Sequence, residues 1–166
     1  MCKAYKSDFY YGSFLSQLIN NGKTPAIVES EDRRSIYSLT TDKGNYTIYS
    51  KYVSTPRGRD NSCLWNFIFT KDEVEAIKHY KDNGRKFLFA LICGKKRLQE
   101  SEFAVLTLDE ARDCLGLNYT TDTYRLTIKY EKRRKGLGLY GTSRSDRNHD
   151  GSDNTLRISR EVLLGL

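Results

Sequence analysis

The spacing of apolar positions divides the chain into a run of short, regular elements. Phe14, Leu15, Leu18 and Ile19 fall on one face of a helix over about 10–20, with Asp8 placed to cap it. Asn21-Gly22 ends that helix, because both residues tolerate a left-handed backbone. Pro25 to Glu29 predicts a strand, Ser35 to Thr41 a second, and Tyr46 to Val53 a third, in which Tyr46, Ile48, Ser50 and Tyr52 alternate. The turn Asp42-Lys43-Gly44-Asn45 joins the last two as a hairpin. Thr55 to Ser62 is a polar, basic loop, and Cys63 to Phe69 is a strand that carries Trp65. Thr70, with Glu73 three residues later, predicts a capping box. It opens a helix that turns Val74, Ile77 and Tyr80 inward and stops at Asn83-Gly84. Lys86 to Cys93 is continuously apolar after its lysine. That pattern belongs to a central strand with both faces covered, and Glu102 to Leu106 is its neighbour. Thr107 and Glu110 repeat the capping box ahead of Ala111, Cys114 and Leu115.

The last third reads differently. Thr123 to Tyr130 alternates, with Tyr124, Leu126, Ile128 and Tyr130 on one face; Leu137 to Tyr140 is a short strand; Arg144 to Asn154 is a polar loop; and Thr155 to Leu164 is a final strand. The expected fold is α/β or α+β: a mixed sheet flanked by two or three helices, with a C-terminal β-hairpin. Residues 1–118 form the expected mixed core and 119–166 a basic hairpin extension. So short a tail can scarcely bury a core alone, so it is expected to pack on the core or on a second chain.

Composition narrows the class. With 38% hydrophobic and 30% charged residues and only 2 Pro, the 166-residue chain is neither collagen-like nor wholly disordered. No apolar run approaches the ~18 residues of a membrane-spanning helix, and Met1-Cys2-Lys3 does not open a signal peptide, so a cytoplasmic protein without a membrane partner is expected. Cys2, Cys63, Cys93 and Cys114 include no CxxC spacing, and Cys63 and Cys93 sit in apolar runs as buried thiols. The only bases for a catalytic cysteine are His79 and His149, neither near one in sequence. No catalytic residue, metal ligand or cofactor is assigned.

Charge supplies the functional lead. The net charge is +7, and residues 123–166, with ten Lys/Arg against five Asp/Glu, carry +5 of it. A concentrated positive field attracts polyanions. Lys132, Arg133, Arg134 and Lys135, with Lys129, make a basic strand end in which several cations can converge on phosphates, and Tyr140 offers a ring for base stacking. Lys51, Arg57 and Arg59 belong to a second basic set that includes Arg33 and Arg34. Lysine is usually exposed, so a strand register that turned Lys51 inward would mark it as a functional candidate.

Two motifs are set aside. Gly136-Leu137-Gly138-Leu139-Tyr140-Gly141 matches GxGxxG, but no helix opens after it, so it reads as a glycine-softened hairpin or bulge. Asp146-Arg147-Asn148-His149-Asp150-Gly151 opens like a calcium loop, but its twelfth position is the cation Arg157, so it reads as an Asx-rich turn.

The order helix, strand, hairpin, strand, helix, strand over residues 10–93 resembles the core of the PD-(D/E)XK nuclease family. In that family the third strand carries Glu/Gln-x-Lys and an acid enters at the second. Tyr49-Ser50-Lys51 falls where the tripeptide would lie: Lys51 matches its lysine, and Tyr49 replaces the acid. Asp32 or Asp42 would be the first acid. The resemblance implies a nuclease-like fold with a degenerate metal site, since tyrosine is a poor Mg²⁺ ligand.

The leading expectation is a small, non-enzymatic module that binds an anionic partner, nucleic acid or nucleotide, through Lys51, Arg57, Arg59, Lys132, Arg133, Arg134, Lys135 and Tyr140. The alternatives are a metal-dependent nuclease with migrated acids, and a protein-interaction or inhibitory factor, as a homodimer or with another protein, using tyrosine-rich strands.

Overall fold

Successive side chains of the apolar run Lys86–Cys93 enter two different cores. In the computed structural model, which describes residues 2–80 and 85–166, Phe87, Phe89, Leu91 and Cys93 join one cluster. Leu88, Ala90 and Ile92 join the other. A strand's side chains alternate between faces, so an unbroken apolar run requires a layer on each side. The protein supplies both layers.

The elements in chain order are α1 (Lys6–Asn20), β1 (Pro25–Ser30), β2 (Ser35–Thr41), β3 (Gly44–Val53), β4 (Arg57–Arg59), β5 (Ser62–Thr70), α2 (Lys71–Tyr80), β6 (Lys86–Cys93), β7 (Glu102–Thr107), α3 (Leu108–Leu115), β8 (Thr123–Glu131), β9 (Leu137–Gly141) and β10 (Leu156–Ile158). They form two five-stranded sheets, ordered β1-β2-β3-β6-β7 and β10-β9-β8-β5-β4. The first sheet is mixed: β3 and β6 run parallel, and the other pairs are antiparallel. A parallel pair needs a long crossover, here through β4, β5 and α2. The second sheet is antiparallel throughout. The fold is α+β with a mixed sheet, and β9 and β10 form the expected C-terminal pair.

One face of the mixed sheet is covered by α1 through Tyr10, Tyr11, Phe14 and Leu18. Its other face packs against the second sheet, with Trp65, Phe67 and Phe69 of β5 and Leu126 and Ile128 of β8 meeting Tyr49, Phe89 and Leu106. Helices α2 and α3 close this core with Val74, Ile77, Ala111, Cys114 and Leu115. Residues 119–166 therefore provide three strands of a sheet whose other two, β4 and β5, come from earlier in the chain.

Several local expectations shift. Helix α1 begins at Lys6, with Tyr5 at its N-cap, and Asp8 acts from the third helical position, where its carboxylate accepts the Tyr5 N–H at 2.7 Å. The stretch read as a loop contains β4, which exists because β5 pairs with it. The final strand ends at Ile158 rather than Leu164. Ser159-Arg160-Glu161 breaks the apolar alternation, and the Ser159 hydroxyl accepts the Glu161 N–H at 3.1 Å. The chain then makes a 3-10 turn at Val162–Gly165 that delivers Leu163 and Leu166 to the α1 side of the sheet. The helix stop at Asn83-Gly84 and the side chain of Tyr80 lie outside the described residues. Both capping boxes form: Thr70 with Glu73, and Thr107 with Glu110. No described helix is long and apolar enough to cross a membrane.

Candidate nucleic-acid interface

Strand pairing in the second sheet brings distant basic segments to one end. Arg59 of β4 pairs with Ser62 of β5, and Ser62 pairs with Glu131 at the end of β8. The Lys132 N–H donates to the Asn61 carbonyl at 3.0 Å, tying the β8–β9 hairpin tip to the β4–β5 turn. Three clefts follow this end. The largest, about 950 Å³, is bordered by Lys129, Lys132, Arg133, Arg134 and Arg147, with Glu131, Asp146 and Asp153. A second, about 490 Å³, carries Arg59, Lys95, Lys96 and Arg97 against Asp60 and Glu100. A third shares Asn61 and Lys132 with the first and Asp60, Lys95 and Glu100 with the second, so the three are contiguous.

Two of the three acids of the largest cleft, Glu131 and Asp153, are already engaged. Arg134 pairs with both Glu131 and Asp153, and Arg157 pairs with the same two, at 3.4 and 2.9 Å. This quartet fastens the hairpin tip to the loop over 146–153 and to β10. Burial alone would raise Asp153, but hydrogen bonds from Arg157, Thr155 and Arg134 outweigh it and hold the carboxyl well below its usual range. Lys129 and Arg157 do the same for Glu131. Arg134, grouped by sequence with its neighbours, is thus a strut. Lys132, Arg133 and Lys135 are exposed with no ion pair among the described residues, as are Arg57 and Arg59.

Lys51 and Tyr140 stand apart from this band. Lys51 shares the inward face of β3 with Tyr49 and is only 7% exposed. Its Nζ donates to both oxygens of Glu73, at 3.0 and 2.7 Å, and lies 4.8 Å from the centre of the Phe69 ring. The Tyr49 hydroxyl donates to the same carboxylate at 2.5 Å. Lysine 51 is therefore an internal link between β3 and the start of α2, not a surface cation. Tyr140 is half-buried on β9 opposite Thr127, with the Arg125 guanidinium 5.9 Å from its ring. Of the other strand tyrosines, Tyr37, Tyr46, Tyr49 and Tyr124 are buried, and Tyr52 and Tyr130 are half-buried.

The lysine pair carries a pH signature. Burial alone would raise the Glu73 carboxyl, but hydrogen bonds from Lys51 and Tyr49 outweigh it and hold the group below its ordinary 4.5. Burial pulls Lys51 below its ordinary 10.5 against the opposing pull of Glu73. Burial, then the Glu73 bond, push Tyr49 up. A carboxyl depressed by folding stabilises the fold above its unfolded value and ceases to do so as pH falls through its folded value. Urea midpoints should therefore drop as pH is lowered below about 4.5, and Glu73→Gln should flatten that decline. Parallel pH profiles for the two proteins would show that Glu73 takes no part in it.

Beside Lys51 lies a cleft of about 490 Å³ that also holds Asp32, Tyr52, Asn66 and Thr70. Asp32 accepts the Tyr52 hydroxyl at 3.2 Å. Asp42 sits in the β2–β3 turn, at the opposite end of the hairpin from Ser35 and Ser50, and so does not share this cleft. The donor set does not suit Mg²⁺, because both Glu73 oxygens are held by Lys51 and one also by Tyr49. Among the described residues no three His, Cys, Asp or Glu side chains gather as metal ligands.

The two remaining motifs are structural in this fold. Asp150 closes an Asx turn by accepting the Ser152 N–H at 2.9 Å. Gly136 adopts φ +68° beyond the hairpin tip, and Gly138 and Gly141 lie within β9. Comparison with protein-family models, with curated proteins and with solved structures finds no match to this chain.

Proposed function

We propose that the chain is a non-enzymatic module that binds nucleic acid along the basic end of its second sheet. The observation that carries this reading is the convergence of three basic segments, at 57–59, 95–97 and 132–135, on one contiguous set of clefts. The acids within those clefts do not cancel the field evenly, because Glu131 and Asp153 are committed to Arg134 and Arg157. Lys132, Arg133 and Lys135 are left facing solvent from a hairpin fixed in place by that quartet. Cations presented in this way gain affinity mainly by releasing counterions from phosphates.

The test is binding of a fluorescent oligonucleotide followed by anisotropy across a salt series. With roughly four phosphate contacts, affinity should fall about 100-fold between ~50 and ~200 mM salt. The triple variant Lys132→Glu, Arg133→Glu, Lys135→Glu should weaken binding by about tenfold or more at low salt and flatten the salt slope. All three side chains are exposed, so the variant should keep its fold, which circular dichroism checks. A flat salt response in the native protein, or unchanged binding in the variant, would remove the proposal.

A further inference from the structure

Resting on that reading, we propose that the interface grips the phosphodiester backbone of a duplex, straddling a groove, and leaves the bases unread. Proteins that hold single strands combine a basic groove with aromatic platforms on which bases stack. The basic band here offers no such platform among the described residues. The largest cleft is bordered by no aromatic side chain. The ring that borders the neighbouring cleft, Tyr130, is occupied by cations, with Lys95 Nζ 4.9 Å and the Arg160 guanidinium 5.1 Å from its centre. Tyr140 borders none of these clefts and carries Arg125 against its ring.

The spacing of the free cations fits two backbones better than one. Arg57 and Arg59 lie on β4, and the tip cations extend from β8, two strands away across β5. Neighbouring strands are about 4.8 Å apart, so the two basic groups are separated by roughly 10 Å. The grooves of B-form DNA are about 6 and 12 Å wide, which places phosphates of opposite strands at a comparable separation. One cluster would meet each strand. Cations that meet the phosphates of opposite strands position the protein, and contacts to phosphate carry no sequence.

Anisotropy with labelled oligonucleotides of about 20 nucleotides or base pairs tests this on the full chain, with two unrelated DNA duplexes, one RNA duplex and one oligo-dT strand. The expectation is that a duplex binds about tenfold or more tighter than the single strand, and that the two DNA sequences agree within about twofold. The pair Arg57→Glu, Arg59→Glu and the pair Lys132→Glu, Arg133→Glu should each weaken duplex binding, and Tyr140→Leu should leave it unchanged. Comparison of the DNA and RNA duplexes identifies which helix is preferred, and preference for either supports the proposal. Single-strand binding as tight as duplex binding, or loss in Tyr140→Leu with its fold intact, would overturn the duplex reading and leave nucleic-acid binding standing. Failure to bind any of the four would overturn both.

Discussion

Lys51→Ala is expected to destabilise the protein by about 3–5 kcal/mol, the size seen when one partner of a buried ion pair is removed. Glu73 would keep its charge in a site where its side chain is 7% exposed, with only Tyr49 and the Thr70 N–H left to compensate. A pair of this kind adds little net stability over an apolar replacement, because desolvation offsets most of the attraction. The double variant Lys51→Met, Glu73→Gln should therefore recover most of the loss. Methionine fills the space beside Phe69, and glutamine still completes the capping box with Thr70 and accepts the Tyr49 hydroxyl. Urea unfolding of Lys51→Met, Glu73→Gln and the double variant completes the cycle that gives the coupling. A Lys51→Ala protein within about 1 kcal/mol of the native one would show that water reaches Glu73 and that the pair is not sealed.

Whether a feature was legible in the sequence follows the distance over which it is written. Strand β6 announced itself because two covered faces leave no polar position in seven residues, and β2 and β3 because an alternating pair brackets a turn rich in Asp, Lys, Gly and Asn. The capping boxes were equally local. Strand β4 has no apolar alternation: Arg57-Gly58-Arg59 becomes a strand only because β5 supplies the hydrogen-bonding partner. The inward turn of Lys51 was not settled by the sequence, because Tyr46, Ile48, Ser50 and Tyr52 suggested the opposite face as the apolar one, whereas both faces of β3 are covered. Its counterion was not legible either, because Glu73 already had a sufficient local purpose in capping α2, and the ion pair spans 22 residues. The basic interface was half legible. Composition and charge runs located Arg57, Arg59 and the 132–135 tip, but their meeting depends on the pairing of Ser62 with Glu131. The contribution of Lys95, Lys96 and Arg97 had no periodic signal. Arg134 looked identical to its neighbours in the run, and only its geometry with Glu131 and Asp153 separates a strut from a free cation.

Gly141→Ala is expected to be as damaging as the loss of Lys51, for a reason of space alone. A Cβ at this position would lie 2.6 Å from the Cys114 carbonyl oxygen at the end of α3 and closer still to the Arg125 carbonyl oxygen of β8. Neither is the movable end of a side chain, and both accept backbone hydrogen bonds: Arg125 from Thr142 at 3.1 Å, and Cys114 from Ser143 at 3.0 Å. To make room, β9 must back away from both elements, giving up those bonds and loosening Leu139, which is fully buried. Overpacking of this kind costs about 1–3 kcal/mol, and each lost hydrogen bond adds about 1, so a total near 3–5 kcal/mol is expected. The last glycine of the GxGxxG pattern is thus required by a close backbone approach. Gly12→Ala is the matched control, because it lies in α1 with nothing within 4 Å of its Cβ. It should raise stability by about 0.5–1 kcal/mol through helix propensity. Urea unfolding of both variants should move in opposite directions. If Gly141→Ala unfolds at the native midpoint, β9 is free to shift, and the hairpin that carries Lys132 to Lys135 lacks the rigid support on which its grip of phosphates depends.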